Sequence, residues 1–367
     1  VRIFIVGGYL RDEYLGITPQ DKDYVVVGSS PQELQAKGFT PIGQDFPVFL
    51  HPKTKEEYAL ARTERKTGQG YKGFTFYASP EVTLEQDLLR RDFTMNAMAQ
   101  EITTDGEIIG PLIDPFGGQR DMSEGVIRHV SDAFNEDPLR ILRLARFMAK
   151  FIHFEIASST LELVGQMVKA GELQFLVPER VWQEISRGLM EARPSRMIDV
   201  LVQTQASHMI LPSGLEHEKT LQQTKMCLDI GAQQGPDLQI QLAYLLAFIE
   251  ISTLDQWAKE RKIPTDVKNF AHLFHQLRQE NLRSPRSAQE VLSFFNQADA
   301  WRKPERLKKA LLAEQVIGND IQQWQTLLEA ALAVDAGIIA KNMTTSDGPK
   351  IQSAVAASRL QAIAACL

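Results

Sequence analysis

Near residue 133 the sequence changes texture, and that break constrains the fold more than any other feature. Up to about residue 130, short apolar runs alternate with turn signals: "RIFIV" ahead of Gly7-Gly8, "DYVVV" ahead of Gly28, and "FPVFLH" around Phe49. Such runs, bounded by glycine, read as strands. "AMAQEITTDGEIIGPLID" predicts a hairpin, because Asp105-Gly106 sits between two apolar segments. Helical pieces lie between, including "SPQELQAKG" (30–38) and "TLEQDLLRRD", where Thr83 and Gln86 make a capping-box pattern. Beyond 133 come long helical periods, "EDPLRILRLARFMAKF", "STLELVGQMVKAG" and "PERVWQEISRGLMEA", and no strand-like alternation persists. The expected class is α+β: a head with a small mixed sheet (1–132), an all-helical neck (133–205) and a helical body (206–367).

Composition narrows the function classes. Hydrophobic residues make up 44% and charged residues 23%, as in ordinary globular chains. The net charge of −6 gives no global footprint for a polyanion, so any such binding must use local clusters. "RTERK" (62–66), "LLRRD" (88–92), "PLRILRLARF" (138–147) and "WRKPERLKK" (301–309) are available, and each taken alone reads first as a solvated face. Two distant cysteines, Cys227 and Cys366, argue against a disulfide scaffold or a thiolate zinc site and suit a reducing compartment. The apolar opening "VRIFIVGG" is too short for a signal peptide or a spanning helix. The expectation is a cytoplasmic protein with no membrane association.

"GGYLRDEYLGITPQDKDYVVVG" (7–28) carries the chemistry. In a strand, residues two apart share a face, so Asp21 and Asp23 are expected side by side. Two carboxylates so placed repel unless a cation lies between them, and Mg²⁺ takes a few carboxylates together with waters and phosphates. A lone D-x-D is a weak signal, more often a polar turn. Its neighbours strengthen it: Gly7-Gly8 leads from a strand into a helix-like segment whose N–H groups suit phosphate oxygens, and Arg11 adds a side chain.

These residues resemble the signature of the class II CCA-adding enzymes and bacterial poly(A) polymerases, members of the polymerase-β-like nucleotidyltransferase superfamily. Further family motifs follow in order: "RRDFTMNAMA" (90–99) for the ribose, "DPFGGQRD" (114–121) for the hinge, "EDPLRILRLARF" (136–147) for the base, and the helical "PERVWQEI" (178–185). Together they span about half of the chain. The likeness is closest to the gammaproteobacterial tRNA nucleotidyltransferase type, through "DFPVFLHP" and "EEYALARTERKTGQGYKGF" as well. Ser29 and Ser30 stand where poly(A) polymerases typically carry a basic run.

The resemblance implies a role for each matching residue. Gly8 and Arg11 would hold the triphosphate, and Asp21 and Asp23 the catalytic Mg²⁺. Arg91 and Asp92 would contact the ribose, with Asn96 supporting the turn. Pro138 is expected as the first helical residue with Asp137 as N-cap. Asp137 offers acceptors and Arg140 donors about one turn apart, so together they could imitate a Watson–Crick partner for C or A. Arg143 would reach the phosphates or the base, although Arg140, Arg143 and Arg146 equally fit an ordinary solvated stripe. The segment 61–83 corresponds to a flexible loop needed for the switch from C to A.

The implied reaction is addition of CCA to tRNA from CTP and ATP without a nucleic-acid template, releasing pyrophosphate. An A-adding specialist or a poly(A) polymerase is the alternative. The body is expected to hold the acceptor and TΨC arms through Arg302, Lys303, Arg306, Lys308 and Lys309, and no obligate protein partner is expected. Some relatives carry a C-terminal HD phosphohydrolase domain. Here "QIQLAYLLAFIEIS" (239–252) has no His-Asp pair, so that second activity is expected to be absent. His217, His272 and His275 are assigned no metal.

Overall fold

The computed structural model describes residues 1–42, 48–66, 74–279, 287–343 and 347–367. They form two compact units, one of residues 1–184 and 196–210, the other of 185–195 and 211–367. The stretch expected as head and most of that expected as neck thus fall within one unit.

The first unit opens with β1 (Arg2–Val6), α1 (Gly8–Tyr14), β2 (Asp23–Val27), α2 (Pro31–Ala36), β3 (Thr40–Ile42), β4 (Val48–Leu50) and β5 (Glu57–Leu60). β6 (Arg62–Lys66), β7 (Phe74–Ala78), α3 (Leu84–Leu89), β8 (Ala99–Ile102) and β9 (Ile108–Ile113) follow. Seven strands make one sheet in the order β3-β4-β5-β2-β1-β8-β9. It is mixed, as expected: β2 runs parallel to β5 and every other pairing is antiparallel. Separately, β6 and β7 pair as an antiparallel ribbon. The expected hairpin joins β8 to β9, with Gly106 at φ 86°, a left-handed geometry that glycine adopts without strain.

The sheet residues Phe4, Val6, Val25 and Ala99 are buried together with Ala97, Val82 and Leu88, the last on α3. Two local signals set the helices that flank it. Ser30 accepts from the Glu33 amide while Glu33 reaches back to the Ser30 amide, and Thr83 and Gln86 do the same for α3. Each box satisfies two otherwise orphaned donors.

α4 (Gly118–Ser123), β10 (Val126–Ile127), α5 (Leu139–Lys150), β11 (Glu155–Ile156), α6 (Ser158–Lys169), α7 (Pro178–Leu189) and α8 (Pro194–Gln203) complete the helical stretch. β10 and β11 pair in parallel, so a strand does persist beyond residue 133. Two residues are too few to show alternation, which is why the sequence pattern misses it. The second unit, among its described residues, is helical, with Tyr244, Phe270, Phe274 and Phe295 fully buried.

Candidate active site

The site grows from the β1–α1 turn. Gly7 caps α1 at φ 72°, and a Cβ there would stand 3.1 Å from Arg91 Nη1. Glycine therefore lets the Arg91 guanidinium approach the backbone beside β1. Asp23 begins β2 and pairs with Val6, while Asp21 lies just ahead of the strand rather than within it. Both carboxylates are exposed. Burial of its surroundings pushes the Asp23 carboxyl above its ordinary value, the Arg91 charge opposes this and the Asp21 charge adds to it. Asp21 and Arg91 thus each act on Asp23, Arg91 from a segment about seventy residues away in sequence.

Asp23 is also aligned with Glu57 across the parallel β2–β5 pairing. Aligned residues on neighbouring strands project to the same face, so a third carboxylate flanks the pair. Among the described residues, no group of three or more His, Cys, Asp or Glu converges as a metal cage. Two exposed oxygen donors nevertheless fit Mg²⁺, which takes its remaining ligands from water and phosphate.

Asp92 and Arg143 tie the segment expected to contact the ribose to α5, the helix expected to read the base. Arg143 Nε donates to Asp92 Oδ2 at 2.7 Å, and Asp92 Oδ1 accepts from Asn96 Nδ2 at 3.0 Å and the Phe93 amide at 2.8 Å. Burial alone would raise the Asp92 carboxyl, but Arg143, Asn96 and Arg140 bring it down to about 2. Arg143 lies 3.9 Å from Glu184 on α7, to which Arg146 Nε donates at 2.6 Å. The arginines of α5 are therefore not a solvated stripe: Arg140 is 7% exposed, and Arg143 and Arg146 are ion-paired.

Arg11 also turns inwards. It is 6% exposed, donates to Asp12 Oδ1 at 2.8 Å and to Asn96 Oδ1 at 2.8 Å, and lies over the rings of Phe147 and Phe151. Burial lowers its pKa against the opposing pull of Asp12. Gly8 lies against it, a Cβ there meeting Arg11 Nη2 at 3.4 Å. In this conformation Asn96 joins Arg11 to Asp92.

Asp137 and Arg140, the pair expected to read the base, are engaged by protein partners. Asp137 Oδ1 accepts from the Leu139 amide at 3.0 Å and Oδ2 from Arg180 Nη2 at 3.0 Å. Arg140 Nη1 donates to the Ala133 carbonyl at 2.8 Å and Nη2 to that of Arg90 at 2.6 Å. α5 begins at Leu139 with Pro138 as its cap, one residue later than the sequence suggests. The tight i to i+3 bonds Asp137 O to Arg140 N and Pro138 O to Ile141 N account for the difference.

Sequence reasoning missed Asp87, Arg180 and Glu184. Asp87 stands three and four residues before Arg90 and Arg91, a helical spacing that could have flagged it. Glu184, between the apolar Val181 and Ile185 on one helix face, could have been read as a buried acid needing a cation. The loop expected over 61–83 falls partly on 67–73, outside the described residues. In the second unit, Lys308 pairs with Glu305, Lys309 with Asp237, and Arg306 donates to the Ala298 carbonyl. His272 meets Asp255 at 2.9 Å, and His275 meets the Ile249 carbonyl at 2.8 Å. Asp255 is thus a carboxylate neighbour that the sequence did not reveal.

Residues 3–128 match the family described as "Poly A polymerase head domain", and 153–216 the one described as "Probable RNA and SrmB- binding site of polymerase A". The multifunctional CCA protein of Burkholderia lata is 43% identical over 411 aligned positions, covering 100% of this chain and 99% of its own. A CCA-adding enzyme solved with CTP superposes with a TM-score of 0.65 at 23% identity, over 99% of this chain and 87% of that one. The Thermotoga maritima CCA-adding enzyme complexed with tRNA gives 0.66 at 22% identity, again over 99% and 87%. These two share the fold, whereas the Burkholderia likeness runs end to end at an identity that carries kinship: the chain belongs to the CCA-adding family of nucleotidyltransferases.

Proposed function

We infer that this protein adds the 3′-terminal CCA to tRNA without a nucleic-acid template, using CTP and ATP and releasing pyrophosphate. The observation that carries the reading is the convergence at the β1–α1 turn of Asp23, paired with Val6, and Arg91, whose guanidinium lies against Gly7. The names of its relatives support it, one being a multifunctional CCA protein and others CCA-adding enzymes bound to CTP or tRNA.

On this reading the tRNA 3′-hydroxyl oxygen attacks the α-phosphorus, the bond to the bridging oxygen breaks, and pyrophosphate leaves with that electron pair. The hydroxyl proton passes to water. Asp21 and Asp23 would hold Mg²⁺, which when bound neutralises phosphate charge and favours ionisation of the hydroxyl. Gly8 of the Gly7-Gly8 turn and Arg11 bind the triphosphate, Arg91 and Asp92 contact the ribose, and Asp92 also holds Arg143. Asp137 and Arg140 read the base by exchanging their present partners, Arg180 and two backbone carbonyls, for its edge. Catalysis then consists mostly of positioning and charge neutralisation.

Residues 1–132 act as the catalytic head, 133–205 as the base-reading neck, and 206–367 as the tRNA-holding body. No helix among the described residues is long and apolar enough to cross a membrane, and tRNA maturation assigns the protein to the cytoplasm. With no His-Asp pair in 239–252, the transferase is the activity this chain carries.

The test incubates protein and Mg²⁺ with a tRNA transcript lacking CCA and resolves products at single-nucleotide length. Two C additions from CTP, then one A when ATP is present, are expected. Addition of A alone to a CC end would make it an A-adding specialist, and a long A ladder on any RNA a poly(A) polymerase. No extension beyond an Asp21→Ala control would overturn the catalytic reading.

A further inference from the structure

The residue in the head that the reaction leaves unexplained is Asp87, on α3, whose side chain is wholly buried. Its Oδ1 accepts from the Arg62 amide at 3.3 Å, from Arg90 Nε at 3.1 Å and from Arg90 Nη2. Its Oδ2 accepts from Arg91 Nη2 at 3.2 Å. One carboxylate therefore joins the first residue of the β6–β7 ribbon to the two arginines of the ribose motif. Burial would raise its pKa, but Arg90 and Arg91 hold it below the ordinary value, so it is a carboxylate in the folded protein.

What Asp87 holds is more informative than its burial. Arg91 has a longer contact to the Asn96 carbonyl, 3.4 Å from Nη1, and its Nε is buried with no partner among the described residues. The Asp87 contact is thus its shorter bond and its ionic one. Arg90, held by the other oxygen, donates from Nε to the Arg62 carbonyl at 3.0 Å and offers its own carbonyl to Arg140 Nη2 at 2.6 Å. The chain Arg62, Asp87, Arg90 and Arg140 links the ribbon to the base-reading helix, and its branch at Asp87 reaches Arg91 beside Gly7.

Burying a charge between two cations gains little stability over an apolar side chain of the same size, because desolvation offsets the attraction. Its fixed geometry is what an apolar side chain cannot supply. We propose that Asp87 is a positioning residue that sets the Arg91 guanidinium for the incoming nucleotide and, through Arg90, registers Arg140 for the base. It touches no reacting atom. The proposal rests on the reading of Arg91 as a nucleotide-binding residue.

Asp87→Asn separates this role from a structural one. Asparagine keeps an amide oxygen for the Arg62 amide and Arg90, while its NH₂ replaces the acceptor that faces Arg91. The expected result is a rise of about tenfold or more in KM for both CTP and ATP, with kcat changed less than about threefold and the melting temperature close to wild type. Arg91→Ala should raise KM in the wild-type background and add much less in the Asp87→Asn background, since the two act as one unit. Asp87→Ser, which retains a hydroxyl acceptor, is measured alongside and should show the same split if Asn at this position lowers the melting point. Unchanged KM values in both variants, while Arg91→Ala raises them, would overturn the positioning role. So would a loss confined to kcat and melting temperature. Unchanged KM in the Arg91→Ala single variant would instead remove the reading of Arg91, and the Asp87 role with it.

Discussion

Gly118 and Gly165 make a matched test of how the head is packed. Both are helical, neither has a positive φ, and each is changed to alanine. On propensity alone, the substitution stabilises a helix by roughly 0.5–1 kcal/mol. At Gly165 on α6 a Cβ meets nothing within 4 Å, so that gain should appear in full. At Gly118 the same Cβ would lie 2.4 Å from the Thr94 carbonyl oxygen, 2.9 Å from its carbon and 3.2 Å from Met95 Cα. These are backbone atoms, which cannot rotate away as a side chain would. An ordinary carbon–oxygen contact is roughly 0.8 Å or more longer, so α4 or the 3-10 turn Thr94–Asn96 must shift. Overpacking of this kind costs about 1–3 kcal/mol, which outweighs the propensity gain at the first residue of a short helix. The turn that moves carries Asn96, the link between Arg11 and Asp92, so extension of tRNA should fall as well. Urea titrations followed by far-UV circular dichroism should shift the midpoint down for Gly118→Ala and up for Gly165→Ala, by on the order of 0.5–1 M and a few tenths of 1 M respectively. A Gly118→Ala protein as stable and active as wild type would refute the close approach.

Other perturbations have defined signs. Asp92, held at about 2 in the fold, contributes stability that is complete above the ordinary carboxylate range and is lost as pH falls from about 4 to 2. The stability difference between wild type and Asp92→Asn should shrink across that window, by on the order of 2 kcal/mol in urea titrations at each pH. Glu184→Gln leaves Arg146 buried beside a neutral amide and should cost about 2–4 kcal/mol, with little change if that ion pair is worth nothing. Asp21→Ala removes a charge that raises the Asp23 carboxyl, so the Asp23 titration followed by NMR should move down while extension is lost and the melting temperature holds. An unmoved Asp23 titration would separate the two carboxylates.

The parts of this fold legible in sequence are those decided within a few residues. Ser30 with Glu33, Thr83 with Gln86, and the Gly106 hairpin each use neighbours in the chain, and their geometry follows from residue type. The D-x-D was legible as a pair, although Asp21 proved to sit in the approach to β2. The identities of ionic partners were not legible. Arg180 with Asp137 and Arg143 with Asp92 join residues 43 and 51 positions apart. Nothing local in an arginine says which carboxylate the topology will bring to it. For the same reason a stripe of three arginines fitted a solvated face equally well until Asp92, beyond α3, and Glu184, on α7, supplied opposing charges.

That concealment bears on selectivity. On the proposed reading Asp137 and Arg140 match C and A, yet in the structure both have protein partners: a backbone amide and Arg180 for one, two carbonyls for the other. A base therefore gains only the difference between its own hydrogen bonds and those it displaces, each net bond being worth about 1 kcal/mol. C and A replace what is lost, with a donor for Asp137 and an acceptor for Arg140. A base with the opposite pattern displaces the same partners and leaves a carboxylate or a guanidinium unpaired, a larger penalty than any missing contact. Discrimination then comes from the group that the wrong base leaves unpaired, because the cost of displacing the protein partners is common to all bases and cancels, and Arg180→Ala, which removes part of that cost, should tighten CTP and ATP binding while leaving their margin over GTP and UTP unchanged. A changed margin in single-nucleotide extension assays would mean that the Arg180 contact takes part in the choice.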